Sequence, residues 1–198
     1  MPHARMLVMS GRSGTRRPCG VLAALLALTA APHARADAAG PLTALVDAAA
    51  QRLEVADPVA AVKWNTHGAI EDPARVRDEL DRLAAAATAD RLDPGYVTRI
   101  FGDQIDATEA IEYSRFADWK LDPAGVPATP PDLSASRAVI DGLNQTMLAQ
   151  IGAHWDVLHS PVCAVELAAS RTAVVEARRL DALYQRALAS ATRSYCQG

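Results

Sequence analysis

The sequence predicts an all-α protein folded as a single domain. Three observations carry that reading. Apolar residues recur at three- and four-residue spacing almost throughout, as at Leu42, Leu45, Val46, Ala49 and Leu53, and again at Val97, Ile100, Phe101 and Ile105. Runs of alternating β-branched residues, the mark of half-buried strands, are absent. Asp-Pro pairs stand at 57–58, 72–73, 93–94 and 122–123. An aspartate followed by proline is a helix-start signal: the carboxylate caps open N–H groups, and proline suits the first helical position, where its missing N–H costs nothing.

The N-terminus reads as a leader rather than as part of this fold. Scattered positive charge (Arg5, Arg12, Arg16, Arg17) precedes the apolar run "GVLAALLALTAA", and Ala34 and Ala36 follow in A-x-A spacing. That order predicts a signal peptide over 1–36, cut after Ala36. The apolar run is too short to span a bilayer. Arg16-Arg17 hints at a twin-arginine leader, but poor flanking residues favour the general secretory route. Cys19 precedes the apolar run, which argues against a lipoprotein. The remaining chain, 37–198, is about 162 residues, enough for one domain with a real core.

Within it the elements follow in order. The first helix takes in Leu42 to Leu53, and Asp57-Pro58 restarts or kinks it. Asp72 opens a second helix to about Asp90, and Asp93 a long third one to about Leu121. "LDPAGVPATPPD" (121–132) is a loop, rich in Pro and Gly. A fourth helix runs from near Ser134 to about Leu158, His159-Ser160-Pro161 breaks the chain, and a last helix or pair of helices reaches about Tyr195. Cys163 and Cys196 are the cysteines beyond the leader. An even count in an exported chain suggests a disulfide. It would close a loop of about 34 residues, worth roughly 3–4 kcal/mol in the chain-entropy model. With no histidine pattern nearby, the two cysteines make a poor metal site.

Charge narrows the partners. Loss of the leader removes Arg5, Arg12, Arg16, Arg17 and Arg35 and no acid, so 20 basic against 23 acidic residues become 15 against 23, a net of −8. An acidic exterior argues against nucleic acid or an anionic membrane as partner of the mature form. Cationic side chains inside apolar segments therefore need a reason.

"RLEVADPVAAVKWN" (52–65) carries Arg52 and Lys63, the latter one of only two lysines, eleven residues apart or close to three helical turns. They share a face if the helix is straight, but Pro58 interrupts it, and on this pair alone two long side chains snorkelling from a helix edge is the favoured reading. Arg75 and Glu79 stand at four-residue spacing, as an exposed ion pair would, and Thr108 and Glu112 do the same on the third helix beside Glu109. Arg137 lies in the first turn of the fourth helix, where the dipole favours acids instead. Each residue alone is compatible with a solvated face.

The longer strings weigh more. "LVDAAAQRLEVADPVAAVKW", "LDPGYVTRIFGDQIDATEAIEYSRFADWKL", "PPDLSASRAVIDGLNQTML" and "LDALYQRALASATRSYCQ" closely resemble the secreted gamma subclass of AroQ-type chorismate mutases, over nearly all of 37–198 and with the same cysteine pair. The resemblance implies a bundle of about six helices, a secreted or periplasmic location, a homodimer with each site inside one chain, and the Claisen rearrangement of chorismate to prephenate without cofactor or metal. It implies that Arg52, Arg75 and Arg137 bind the substrate carboxylates and that Lys63 hydrogen-bonds the ether oxygen. Thr108 and Glu112, with Glu109 alongside, match the family's long-helix residues. Glu79 departs: relatives carry glutamine there, so the local charge and hydrogen bonding differ. Lys63, Glu112 and Arg52 are thus the expected catalytic groups. Arg52, Lys63, Arg75, Glu79, Thr108, Glu109, Glu112 and Arg137 form the expected substrate-binding set.

The chemistry suits these residue types. Chorismate is a dianion, and the planar arginine fork binds carboxylates through paired hydrogen bonds. Holding a flexible substrate in its reactive shape removes part of the entropic barrier. As the C–O bond breaks, negative charge grows on the ether oxygen, and an ammonium there stabilises the transition state more than the ground state. Glu112 can donate only when protonated. Burial raises a carboxyl pKa, and nearby arginines lower it. The rival expectation is a non-catalytic exported helical protein that grips a small dianion, and a third is a purely structural disulfide-held bundle, which requires no pocket.

Overall fold

The computed structural model describes residues 40–127, 129 and 132–196. The expected leader and its cut after Ala36 lie outside the described residues. α1 (Thr43–Glu54) is the most enclosed helix, with Leu45, Val46, Ala48, Ala49, Ala50, Arg52 and Leu53 all buried. Its alanines present little bulk, which lets neighbours close in on several sides: α1 packs against α4 (Pro94–Leu121), α5 (Leu133–Ala153), α7 (Cys163–Arg178) and α8 (Ala182–Ala191). α4 in turn packs against α8, α3 (Pro73–Ala89) and α2 (Ala56–Thr66). Leu42, Leu45, Leu53, Tyr96, Ile100, Phe101, Ile111, Met147, Ile151 and Leu188 fill the space between them. Strands are absent among the described residues.

The expected helix starts at Asp72 and Asp93 are present. Asp72 accepts from the Arg75 N–H at 3.1 Å and Asp93 from the Gly95 N–H at 2.9 Å, each with proline next. Asp122 caps a single 3-10 turn, Pro123–Gly125, in the same manner. Asp132 and Asp181, without proline, cap α5 and α8.

Asp57 differs. The first rod breaks at Val55, and Asp57 lies inside the first turn of α2 rather than at its cap. The cause is Pro58, which offers no N–H to the carbonyl four residues earlier, that of Glu54, and crowds it, so the break falls upstream of the Asp-Pro pair. Asp57 is thereby free to take Arg115 of α4 through two hydrogen bonds, at 2.6 and 3.1 Å.

The fourth expected helix is also shorter at its far end. α5 stops at Ala153, and a single turn, α6 (Trp155–Leu158), carries on to the expected limit. The offset at His154 turns Trp155 edge-on to Tyr96, ring centres 5.3 Å apart, and stacks it on His159 at 4.0 Å. Counting α1 with α2 as one interrupted rod and α6 as the end of α5, the described residues form about six rods, as expected. The last element is a pair, α7 and α8, joined through Arg179 in the left-handed region. Cys163 at the start of α7 is bonded to Cys196 beyond α8, with Cα atoms 5.6 Å apart. No described helix is long and apolar enough to cross a membrane.

Candidate active site

The bend at Val55 decides where the two cations of "RLEVADPVAAVKWN" go. On a straight helix eleven residues separate them by about 16 Å along the axis. Broken at Val55, the rod lets both Arg52 of α1 and Lys63 of α2 face one cavity of about 130 Å³. Its apolar wall is made by Val55, Val59, Ile70, Val76, Ile105 and Ile140, and its polar wall by Asp72, Arg75 and Glu79 of the α3 segment and Thr108, Glu109 and Glu112 of α4.

α4 shows why polar residues arrive there. Its buried stripe includes Val97, Ile100, Phe101, Gln104, Ala107, Ile111 and Glu112. Gln104 is satisfied against α1, donating to the Ala49 carbonyl at 3.0 Å. Thr108 and Glu112 continue the same stripe one and two turns on, where they line the cavity together with Arg52 of α1 and Lys63 of α2.

Lys63 Nζ donates to the Ile70 carbonyl and to Glu112 Oε2, both at 2.7 Å. Burial raises the Glu112 pKa, the lysine hydrogen bond opposes that rise, and Glu109 adds to it. Glu109 is raised as well, through burial and then the neighbouring Glu71 charge. Arg52 is 5 % exposed. Burial draws its guanidinium down to about 10, and the Glu79 charge resists that, so it stays a cation at neutral pH. Nε donates to Asn144 Oδ1 at 2.8 Å and Nη1 reaches Thr108 Oγ1 at 3.5 Å, and Arg52 borders the cavity. Arg75 lines the cavity without an ion-pair partner among the described residues.

The simple i,i+4 pairing of Arg75 with Glu79 does not form. Glu79 takes Arg82 instead, one turn on, and accepts from Asn144 Nδ2 at 2.7 Å. Arg137 is exposed and is not among the lining residues; Ile140, one turn further along α5, is. The structure therefore brings Arg52, Lys63, Arg75, Glu79, Thr108, Glu109 and Glu112 together and leaves Arg137 outside the cavity wall. Sequence reasoning missed Asn144, which is 4 % exposed, and Asp72 as a wall residue. The signal for Asn144 was present: it follows Arg137 and Ile140 at seven and four residues, on the same face of α5.

Three cations, Arg52, Lys63 and Arg75, thus face four carboxyl groups, Asp72, Glu79, Glu109 and Glu112. Each proton that burial keeps on Glu109 or Glu112 makes the cavity more hospitable to an anion and supplies a hydrogen-bond donor. No group of three His, Cys, Asp or Glu among the described residues is arranged to hold a metal.

Fold and site together define a helical bundle whose bent first rod opens an internal, ion-lined pocket. The chain belongs to the type II chorismate mutases: the model of that family, Chorismate mutase type II, matches residues 43–113, from α1 into α4. It is 57 % identical over 178 residues to a secreted chorismate mutase of Mycobacterium tuberculosis, covering 90 % of this chain and 89 % of that one. It is 52 % identical over 177 residues to a secreted chorismate mutase of Mycolicibacterium smegmatis, covering 89 % and 98 %. Among solved structures, chorismate mutases from Burkholderia phymatum and Burkholderia thailandensis superpose with a TM-score of 0.75 each. Their identities are 27 % and 33 %, over 80 % and 79 % of this chain and 97 % and 99 % of theirs.

Proposed function

We propose that this chain is exported, loses residues 1–36, and rearranges chorismate to prephenate in the cavity between α1, α2, α3 and α4. The observation that carries the reading is the meeting of Lys63 and Glu112 at 2.7 Å, in a cavity also lined by Arg52 and Arg75, in a chain 57 % identical to a secreted chorismate mutase. Arg52 and Arg75 grip the two substrate carboxylates from the cavity wall, and Arg137, exposed a turn before the lining residue Ile140, joins them when substrate binds. Thr108 and Glu109 border the bound anion. Lys63 turns from Glu112 to the ether oxygen, where charge develops as the C–O bond breaks. Glu112, whose pKa burial raises against the pull of Lys63, donates a second hydrogen bond to the same oxygen in its protonated form. No covalent intermediate is needed, because the groups act by holding one conformation and by stabilising charge. The active form is a homodimer in which each site belongs to one chain.

The test is direct. The purified mature protein is mixed with chorismate, and loss of its ultraviolet absorbance and formation of prephenate are followed. Catalytic loss of chorismate with matching prephenate is expected. Binding of chorismate without turnover would instead establish the non-catalytic dianion-binding reading, and neither binding nor turnover would overturn both.

A further inference from the structure

Four side chains from three helices join end to end behind the cavity. Arg52 of α1 donates through Nε to Asn144 Oδ1 at 2.8 Å. Asn144 of α5 donates through Nδ2 to Glu79 Oε1 at 2.7 Å. Glu79 of α3 receives Arg82 on its other oxygen. Arg52 and Asn144 are buried while Arg82 is exposed, so the relay runs from the cavity to the surface.

This relay has a direction. An ionised carboxylate only accepts hydrogen bonds. Glu79 therefore fixes which way the Asn144 amide faces: NH₂ towards Glu79, oxygen towards Arg52. The Asn144 oxygen then holds Arg52 Nε, and with Nη1 near Thr108 the plane of the guanidinium is set where Arg52 borders the cavity. Each oxygen of Glu79 already accepts from a protein donor, Asn144 on one and Arg82 on the other, where the side chain borders the cavity. Asn144 does not line the cavity at all.

We propose that Asn144 is a positioning residue for Arg52, and that Glu79 serves the reaction by orienting the Asn144 amide. The proposal rests on the chorismate mutase reading above. An Arg52 grip on a carboxylate is made in the ground state and the transition state alike, so its misalignment falls mainly on KM, with a smaller loss in kcat from a less well held reactive pose.

Steady-state kinetics with chorismate on Asn144→Ala, Asn144→Asp and the double variant Glu79→Gln/Asn144→Asp test it, with thermal unfolding measured on each. Asn144→Ala should raise KM about tenfold with kcat within about threefold of the parent. Asn144→Asp sets two carboxylates face to face and should raise KM at least as much. The double variant restores the relay with its amide and carboxylate exchanged, at unchanged net charge. The amide introduced on α3 donates to the carboxylate introduced on α5, and that carboxylate accepts from Arg52. Its KM should return to within about threefold of the parent. An Asn144→Asp enzyme with parental KM, or a double variant no better than Asn144→Asp, overturns the proposal, and that comparison decides the matter even where Asn144→Ala fails to fold. A parent enzyme that leaves chorismate unchanged overturns the functional reading and this inference together. A parent that turns over with an unrescued double variant overturns this inference alone.

Discussion

Lys63 spends its ammonium on two acceptors at 2.7 Å, the Ile70 carbonyl and Glu112, and only the second is a side chain that can move aside for a ligand. Under the proposed role Lys63 contributes chiefly in the transition state. Lys63→Ala should lower kcat by at least about a hundredfold, roughly 2.7 kcal/mol, in a chorismate assay; a loss under about tenfold contradicts the role. Glu112 gives a pH prediction. Burial raises its pKa above the ordinary 4.5. The proton-bearing, donating form therefore persists to higher pH than in a free glutamate and is lost as pH rises through the raised value. Activity should fall across that range, and Glu112→Gln, a donor at every pH, should flatten the fall in a pH–rate profile. At this scale the sequence was legible where a polar residue interrupted an apolar stripe, as Thr108 and Glu112 do. It was not legible at Glu79, whose partners were read as local: Arg82 and Asn144 outcompete Arg75, and Asn144 arrives from a helix 65 positions away.

Helix starts were the easiest features to read, because capping is local: Asp72 and Asp93 each hold an N–H two or three residues ahead, whereas the short turn that Asp122 caps falls within the expected loop. The Val55 break was readable in kind but misplaced, since proline acts on the carbonyl four residues before it. The break at His154 depends on Trp155 meeting Tyr96 from another helix, which no local pattern reports. Elements are also tied by pairs that spacing along the chain cannot show. Arg178 at the end of α7 holds Asp47 of α1 through two hydrogen bonds, at 2.5 and 2.8 Å, and reaches Glu54 at 3.0 Å. The Arg178 hydrogen bond keeps the Asp47 pKa below the ordinary 3.8, against the opposing effect of burial. A depressed pKa means the stabilisation is present above the unfolded value and is lost as pH falls through the folded one. Asp47→Asn should therefore lower Tm by about 1–3 °C at pH 7, because the pair is half-exposed and screened. The gap from the parent should begin to narrow near pH 3.8 and close below the folded value, as thermal unfolding in a pH series will show.

For the molecule as a whole, the all-α class and the cysteine pair could be read from periodicity and count, but the neighbours of each helix could not. That α1 is central, touching α4, α5, α7 and α8, follows from how its small residues pack in three dimensions. The covalent link is a property of this level too. Replacing Cys163 and Cys196 by serine should lower unfolding free energy by about 3–4 kcal/mol, measured by denaturant titration against the oxidised parent. The buried Tyr96 hydroxyl, which donates to the Tyr195 carbonyl at 2.5 Å, should then hold the chain end with less support. The same link also bears on how the sulfurs are sorted. Cys163 and Cys196 stand 33 positions apart, and the third thiol of the sequence, Cys19, falls within 1–36. In the oxidising compartment to which the chain is proposed to travel, loss of 1–36 would leave these two sulfurs a single way to join.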